Sequence, residues 1–350
     1  MARFLTTFSR LAKPDYFPYA FFISGGALAV ENALKAAFDW KVRKNLQKGL
    51  PEDSQVEVLH LEESFHGRTG YTLSLTNTSD PRKTMYFPKF DWPRISSPKI
   101  IFPLEANLED VVRREQISLD EARAAFLERP NKIACILIEP IQGEGGDNHF
   151  RPEYLQALKD LAHENDALLI FDEVQTGVGM TGTFWAYQGL GVIPDILSFG
   201  KKTQVCGILA GTKLDEIEDN VFHVGSRINS TWGGNLVDMV RFDRILEIIE
   251  EDNLIEESRS TGEYLLQALG TLAEKNDQLS NVRGAGLMCA LDVETREIRD
   301  QIIEQCYTNG LVMLGCGVRS LRFRPPLTTS RDEVDEGLAL FSKAISEVLG

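Results

Sequence analysis

The chain has 350 residues, of which 43% are hydrophobic, and its formal net charge is −15 at pH 7. This length allows a large core divided between two domains. The acidic excess argues against nucleic acids and anionic membrane surfaces as partners, because both repel an acidic protein.

The spacing of the cysteines and histidines and the length of the apolar runs further limit the kinds of protein that this chain can be. The five cysteines are odd in number and lack C-x-x-C spacing, which is typical of a reduced, cytoplasmic protein. The histidines lack zinc-type spacing, so no metal site is predicted. No apolar run approaches the roughly 20 residues that a membrane-spanning helix needs.

The predicted elements begin with an amphipathic helix over residues 1–13, followed by "AFFISGGALAVENALKAAFDWKVRKN" (20–45), which predicts a strand, a Gly-rich turn and a helix. A second strand is predicted in "QVEVLHLEESFHG" (55–67). Two continuous apolar runs, "NKIACILIEPIQGEGG" (131–146) and "ALLIFDEVQTG" (167–177), flank the helical pattern of residues 151–166. Buried strands that alternate with amphipathic helices indicate a mostly parallel α/β sheet, whose ligands bind beyond the carboxyl ends of the strands.

After about residue 235 the pattern changes to a long helical stretch, then short strands, a helix, further strands that contain an Arg pair, and a last helix. This order predicts a smaller α+β domain. We therefore expect a large domain at residues 1–238 and a small C-terminal domain at residues 239–350.

Asp172 ends the strand "LLIF". An ionised carboxylate there needs a cationic partner or several hydrogen-bond donors. The protonated ring nitrogen of pyridoxal phosphate is one such partner, and an Asp that caps the following turn is the alternative. Asp172 alone leaves both interpretations open.

The segment "SGGALAVENALK" (24–35) can present free backbone N–H groups to a phosphate at a helix N-terminus. The alternative is that Ser24 is an ordinary N-cap and that the glycines permit tight packing. By itself this segment does not decide between them.

Two adjacent lysines follow the short apolar run "ILSFG". Lys201 comes directly after its glycine, so its side chain begins at the sheet edge, where partial desolvation makes an amine nucleophilic. Lys202 is expected to point away, towards solvent or a phosphate. A phosphate-binding turn, an acid for the ring nitrogen and a lysine, in this order along the chain, describe a pyridoxal phosphate site. A Rossmann dehydrogenase is the competing interpretation, but the sequence has no G-x-G-x-x-G motif that opens a βαβ unit.

The motifs "EPIQGEGG", "FDEVQTGVGMTG", "PDILSFGKK" and "STWGGN" resemble those of the class III (ω-amino) aminotransferases of fold type I, over essentially the whole chain. Within that family, "GGALAVENALKAAFDWK", "FHGRTGYTLSLTN", "FPKFDWPRI" and "GKKTQVCG" are similar to the lysine 6-aminotransferase branch. The resemblance implies transfer of the terminal amino group of L-lysine to 2-oxoglutarate by way of pyridoxal 5′-phosphate. It also implies a homodimer with a shared active site.

Carried over residue by residue, the resemblance implies these roles. Lys201 forms the Schiff base, Asp172 pairs with the ring nitrogen, Gln175 binds the ring hydroxyl and Phe65 stacks on the ring. Gly26 and Ala27 bind the phosphate through backbone N–H groups, and Asn229, Ser230 and Thr231 complete the phosphate site of the neighbouring subunit.

The two substrates differ in where their carboxylates lie. Relatives suggest that Arg322 binds the α-carboxylate of 2-oxoglutarate, that Arg68 binds the distal one, and that Glu144 neutralises Arg322 while lysine reacts. The alternative for Arg322 and Arg324 is a structural ion pair on a strand, and Glu139 is expected to be a structural anchor.

Three departures from the family pattern leave alternatives open. Ala27-Leu28 stands where many relatives have Ser or Thr followed by Glu, and Met180 replaces an arginine. The family's N-terminal segment is expected to be missing here. The alternatives are therefore an enzyme for another amine (ornithine, acetylornithine or 4-aminobutyrate) and a non-catalytic fragment.

Overall fold

A computed structural model describes residues 1–52 and 55–350. At its centre lies a seven-stranded sheet, accompanied by a two-stranded ribbon. The sheet strands are β1 (Tyr19–Ile23), β2 (Glu57–Leu61), β3 (Arg94–Ile95), β4 (Ile133–Ile138), β7 (Leu168–Asp172), β8 (Ile196–Phe199) and β9 (Cys206–Ala210), and the ribbon consists of β5 (Ile141–Gln142) and β6 (Asn148–His149).

The order across the sheet is β1-β9-β8-β7-β4-β2-β3, and β9 alone runs against the other six strands. Every residue of β4, β7 and β8 is buried. Continuous apolar strands of this kind require cover on both faces of the sheet. The predicted mostly parallel α/β sheet is therefore confirmed.

Helices cover both faces and supply two separate apolar cores. Among the described residues, no helix combines the length and the apolar content that crossing a membrane requires. The helices are α1 (Ala2–Leu11), α2 (Gly26–Gln47), α3 (Gly70–Leu75), α4 (Leu104–Glu128), α5 (Pro152–Glu164), α6 (Ala186–Leu190) and α7 (Leu236–Glu251).

The C-terminal part has its own antiparallel sheet, in the order β10-β11-β13-β12, and its own apolar core. This α+β unit agrees with the predicted fold class. Its strands are β10 (Ser280–Ala285), β11 (Met288–Asp292), β12 (Leu314–Cys316) and β13 (Ser320–Phe323), and its helices are α8 (Leu254–Glu274), α9 (Arg296–Thr308) and α10 (Arg331–Leu349).

The long helical stretch predicted after residue 235 is divided between α7 and α8 by Asn253, whose φ of 50° is left-handed. The predicted boundary between residues 238 and 239 falls inside α7. Met239 and Phe242 of α7 pack into the core of the large sheet. The division into two domains stays a prediction.

Candidate active site

A cavity of about 420 Å³ opens where β4, β7 and β8 end and α2 begins. This is the edge at which a parallel sheet binds its ligands. Eight of the predicted site residues line it, together with Glu139, the expected anchor, and three residues that the sequence did not single out for the site. The lining residues are Gly26, Ala27, Phe65, His66, Gly67, Glu139, Glu144, Asp172, Val174, Gln175, Lys201 and Arg322.

Lys201 begins a short 3-10 turn, Lys201–Thr203, with a left-handed φ of 55°. Its Nζ donates a hydrogen bond to Oε1 of Gln175. The side chain is reached from the cavity, yet the surrounding protein desolvates the amine and so lowers the pKa of Lys201, although Asp172 and Glu139 oppose that shift. A lysine with a lowered pKa is more often neutral, as a nucleophile or base must be.

Lys202 does not point towards solvent, as one of the two expectations had it. Its Nζ donates to the backbone carbonyl of Gln175 at 2.6 Å. A contact between Lys202 and a phosphate stays a prediction. Burial, with a smaller contribution from the charges of Lys201 and Arg324, lowers the pKa of Lys202 to about 7. Lys202 thus ties the Lys201 turn to the loop that carries Gln175.

Asp172 is buried at the end of β7 and has three hydrogen-bond donors around it. Its Oδ2 lies 2.8 Å from Nδ1 of His66, and its Oδ1 accepts from the Val174 N–H at 3.0 Å and from Ser198 Oγ at 3.3 Å. The hydrogen bond from the Val174 N–H shows that Asp172 also caps the turn after β7, which was the alternative interpretation of this residue. His66, whose other ring nitrogen has no partner among the described residues, was missed as a site residue.

Glu139 acts as an anchor within the cavity wall. Its carboxylate accepts the N–H groups of Phe65 at 2.9 Å and Gly143 at 3.0 Å, and so joins two loops. Burial is the main cause that raises the pKa of Glu139 to about 7, and nearby Asp172 contributes to the rise.

The first turn of α2 faces the cavity without a side-chain cap. Gly25, with φ 105°, is its N-cap, so Ser24 does not take the role that the alternative gave it. A Cβ on Gly26 would lie 2.8 Å from Cγ1 of Val174, which explains why the chain needs glycine there. The backbone N–H groups of this turn suit an anion.

Glu144 lies between two cations. Its Oε1 forms an ion pair with Lys83, and its Oε2 is 3.9 Å from Nη1 of Arg322 on β13. The Nε of Arg322 is buried and has no hydrogen-bond partner among the described residues. Glu144 and Arg322 are therefore close enough to pair, although Lys83 holds the closer contact.

The other two arginines differ from each other in their surroundings. Arg68 is exposed and does not line the cavity. Arg324 forms a buried ion pair with Asp147, as the structural alternative expected.

Asn229, Ser230 and Thr231 lie on the loop before α7 and do not line the cavity of their own chain. Asn229 Oδ1 accepts the Ser230 N–H at 2.8 Å. Their assignment to the site of a neighbouring subunit stays a prediction.

The cavity therefore combines an amine, a buried carboxylate and an uncapped helix N-terminus. A family model for class III aminotransferases matches residues 5–345. The chain belongs to the class III aminotransferases.

Named members of this family resemble the chain to different degrees. The L-lysine-epsilon aminotransferase of Amycolatopsis lactamdurans is 53% identical over 99% of this chain and 77% of its own length. A solved lysine aminotransferase from M. tuberculosis is 54% identical, with a TM-score of 0.97 over 99% of this chain and 80% of its own. The 4-aminobutyrate aminotransferase of Emericella nidulans is 32% identical over 96% of this chain and 70% of its own length.

Class III aminotransferases use pyridoxal 5′-phosphate, and the residues of this cavity fit it. The uncapped turn at Gly26 and Ala27 suits the phosphate, and buried Asp172 suits a protonated pyridine nitrogen. Gln175 contacts Lys201, so the groups predicted for the ring hydroxyl and the aldehyde are adjacent.

Proposed function

We propose that this class III aminotransferase transfers the terminal amino group of L-lysine to 2-oxoglutarate, giving 2-aminoadipate 6-semialdehyde and L-glutamate. The observation that carries the proposal is the 53–54% identity to lysine aminotransferases over 99% of the chain. The 4-aminobutyrate enzyme reaches only 32%.

Bound pyridoxal phosphate supplies an aldehyde that carries the amino group and a ring that withdraws electrons from the reacting carbon. Lys201 Nζ is the protein group that we assign to proton transfer at that carbon. Its lowered pKa supports the role, because a larger fraction of the amine is then neutral and able to accept a proton.

The remaining cavity residues hold the cofactor in register with Lys201. We assign the pyridine nitrogen to Asp172, the ring hydroxyl to Gln175, the ring face to Phe65, and the phosphate to the N–H groups of Gly26 and Ala27. The three hydrogen bonds around Asp172 support its role, since they satisfy and orient the carboxylate in a buried place.

Arginine recognises a carboxylate by two parallel hydrogen bonds. We assign the α-carboxylate of 2-oxoglutarate to Arg322 and its distal carboxylate to Arg68. Glu144 neutralises Arg322 while lysine, which has no carboxylate beside its reacting amine, occupies the site. The separation of 3.9 Å between Glu144 and Arg322 supports this exchange of partners.

The active form that we propose is a homodimer in which each subunit completes the other's site. Asn229, Ser230 and Thr231 then bind the phosphate held by the second copy. Their position on an exposed loop beside Trp232, itself 83% exposed, supports this assignment.

The test uses lysine with a heavy-nitrogen label at either its ε or its α position, with 2-oxoglutarate as acceptor. The proposal expects the label in glutamate only from ε-labelled lysine. Label from the α position would contradict the proposal. If ornithine, acetylornithine or 4-aminobutyrate is turned over faster than lysine, the family assignment holds but the proposed substrate is wrong.

A further inference from the structure

The ion pair between Lys83 and Glu144 lies at the edge of the cavity and concerns the choice between the two substrates. Glu144 has one carboxylate oxygen on Lys83, while its second oxygen is 3.9 Å from Arg322. All three side chains are largely shielded from solvent, with exposed fractions of 32% for Lys83, 26% for Glu144 and 17% for Arg322. Shielding strengthens the interaction between charges, so the two cations compete for one carboxylate.

Two hydrogen bonds to Gly317 connect the segments that carry Lys83 and Glu144. Lys83 ends the short 3-10 turn Pro81–Lys83, and Ser79 just before that turn donates to the carbonyl of Gly317 at 2.9 Å. The N–H of Gly317 in turn donates to the carbonyl of Glu144 at 2.7 Å. One residue of the C-terminal unit thus anchors both segments.

Arg322 is the cation that makes the weaker of the two contacts with Glu144. Its Nε is buried and has no hydrogen-bond partner among the residues that the structure describes. A buried guanidinium with an unpaired donor favours a carboxylate ligand. As long as Glu144 rests on Lys83, that ligand is a carboxylate of the substrate.

We propose that Lys83 is a positioning residue that holds Glu144 away from Arg322 and thereby opens Arg322 to the α-carboxylate of 2-oxoglutarate. When lysine occupies the site, Glu144 moves from Lys83 to Arg322 and cancels its charge. Lys83 touches neither substrate and acts only through Glu144. This inference rests on the proposed function, because it needs two substrates that differ in where their carboxylates lie.

The decisive experiment measures binding and half-reactions of the holoenzyme separately. Glutarate, a dicarboxylate with the same carbon chain as 2-oxoglutarate but no ketone, gives a binding constant by calorimetry without turnover. Single-turnover spectra with lysine, and with glutamate and 2-oxoglutarate, give the two half-reactions. The variants are Lys83→Gln, Lys83→Arg, Glu144→Gln and the double variant Lys83→Gln/Glu144→Gln, with Arg82→Gln as the matched control.

Arg82 suits the control because it precedes Lys83 on the same turn but pairs with Asp80 and is 81% exposed. We expect Lys83→Gln to weaken the binding of glutarate and of 2-oxoglutarate about tenfold, because Glu144 then remains paired with Arg322. The rate of the lysine half-reaction should stay unchanged. Lys83→Arg should behave as the parent enzyme does, and so should Arg82→Gln.

The double variant separates action through Glu144 from direct attraction of the substrate. In the Glu144→Gln background the Lys83→Gln change should have no further effect on glutarate. An equal loss in both backgrounds would overturn the proposal, and so would an equal loss in both half-reactions. If the parent enzyme accepts glutamate but not lysine, the proposed function fails, while the glutarate comparison still tests Lys83.

Discussion

Asp172 and His66 are joined by a hydrogen bond of 2.8 Å between Oδ2 and Nδ1, in the buried floor of the cavity. Asp172 is the last residue of β7, whereas His66 lies in the loop after β2, 106 positions away in sequence. A buried carboxylate that keeps a hydrogen-bond partner is held in one orientation. His66 therefore fixes the direction of the Asp172 carboxylate, as its proposed role towards a pyridine nitrogen requires.

We expect His66→Phe to lower kcat about tenfold and to weaken the binding of pyridoxal phosphate, because the Asp172 carboxylate loses a hydrogen-bond partner. His66→Asn is the matched control, since its amide nitrogen can replace Nδ1 and should retain the parent kcat and cofactor affinity. The measurements are kcat and a fluorescence titration with the cofactor for both variants. The assignment fails if His66→Phe keeps the parent values, or if His66→Asn loses as much as His66→Phe does.

A second prediction concerns Lys201. Lys201→Ala should reduce glutamate formation about a thousandfold, which is within the range for loss of a general acid–base group. Reduction with borohydride should fix the cofactor to the parent chain but not to the variant, as intact mass would reveal. Lys343→Ala, on α10, is the control and should leave both results unchanged; turnover retained in Lys201→Ala would contradict the assignment.

Some site residues were predictable because they directly follow apolar strands. Asp172 and Lys201 stand where continuous buried runs stop, and parallel strands bring such ends together. His66 has no comparable local signal, since it lies in the loop after β2 and its partner is on β7. The requirement that a buried Asp172 have a cationic or donor partner was the one clue to it.

Two other features depended on geometry that the sequence does not display. Lys202 was assigned by alternation along the chain, but the left-handed φ of Lys201 turns it onto the Gln175 carbonyl. Lys83 meets Glu144 from a distant segment, and Gly317 of the C-terminal unit is hydrogen-bonded to both segments. The alternation of side chains along a strand does not predict where a side chain points after a residue with a left-handed φ. The spacing of residues in the sequence likewise does not reveal a contact between two segments that are joined through a third one.

Gly67 offers a third prediction, because its φ is 127° and a Cβ there would lie 2.5 Å from Cβ of Ala27 and 3.1 Å from its Cα. Gly67→Ala should therefore combine backbone strain of about 1–3 kcal/mol with displacement of the α2 N-terminus. The control is Gly49→Ala, with φ 76° and nothing within 4 Å of the added Cβ.

We expect Gly67→Ala to lose more free energy of unfolding than Gly49→Ala and, unlike it, to bind pyridoxal phosphate more weakly. Urea unfolding and a fluorescence titration with the cofactor measure the two effects. Equal cofactor affinity in the two variants would show that the contact between Gly67 and Ala27 does not support the phosphate site.

A fourth prediction follows from the pKa of Lys202, which burial lowers from 10.5 to about 7. Between these two pH values the unfolded chain binds more protons than the folded one, so the free energy of unfolding rises with pH. For this group the slope is at most about 1.4 kcal/mol per pH unit. Lys202→Met should remove this contribution.

Urea midpoints of the cofactor-free protein at several pH values between 7 and 10 measure the slope. Lys343→Met, on α10, should keep the parent slope. The prediction is wrong if the free energy of unfolding of Lys202→Met rises with pH as steeply as that of the parent protein.

The last prediction tests whether Thr231 completes the site of a second copy. Thr231→Glu places a negative charge against the phosphate on an exposed loop, and Lys201→Ala removes the amine. If the two residues serve one site from different subunits, a dimer with one subunit of each kind has one intact site. Random mixing should then regain about a quarter of the parent activity, because half of the dimers are mixed and half of their sites are intact.

The control mixes Lys201→Ala with the double variant Lys201→Ala/Thr231→Glu, which contains no intact Lys201 and should stay inactive. Sedimentation of each mixture verifies that dimers have formed and exchanged. Dimers that exchange without regaining activity would mean that Thr231 serves the site of its own chain. Because Thr231 does not line the cavity of its own chain, that outcome would require the loop before α7 to move.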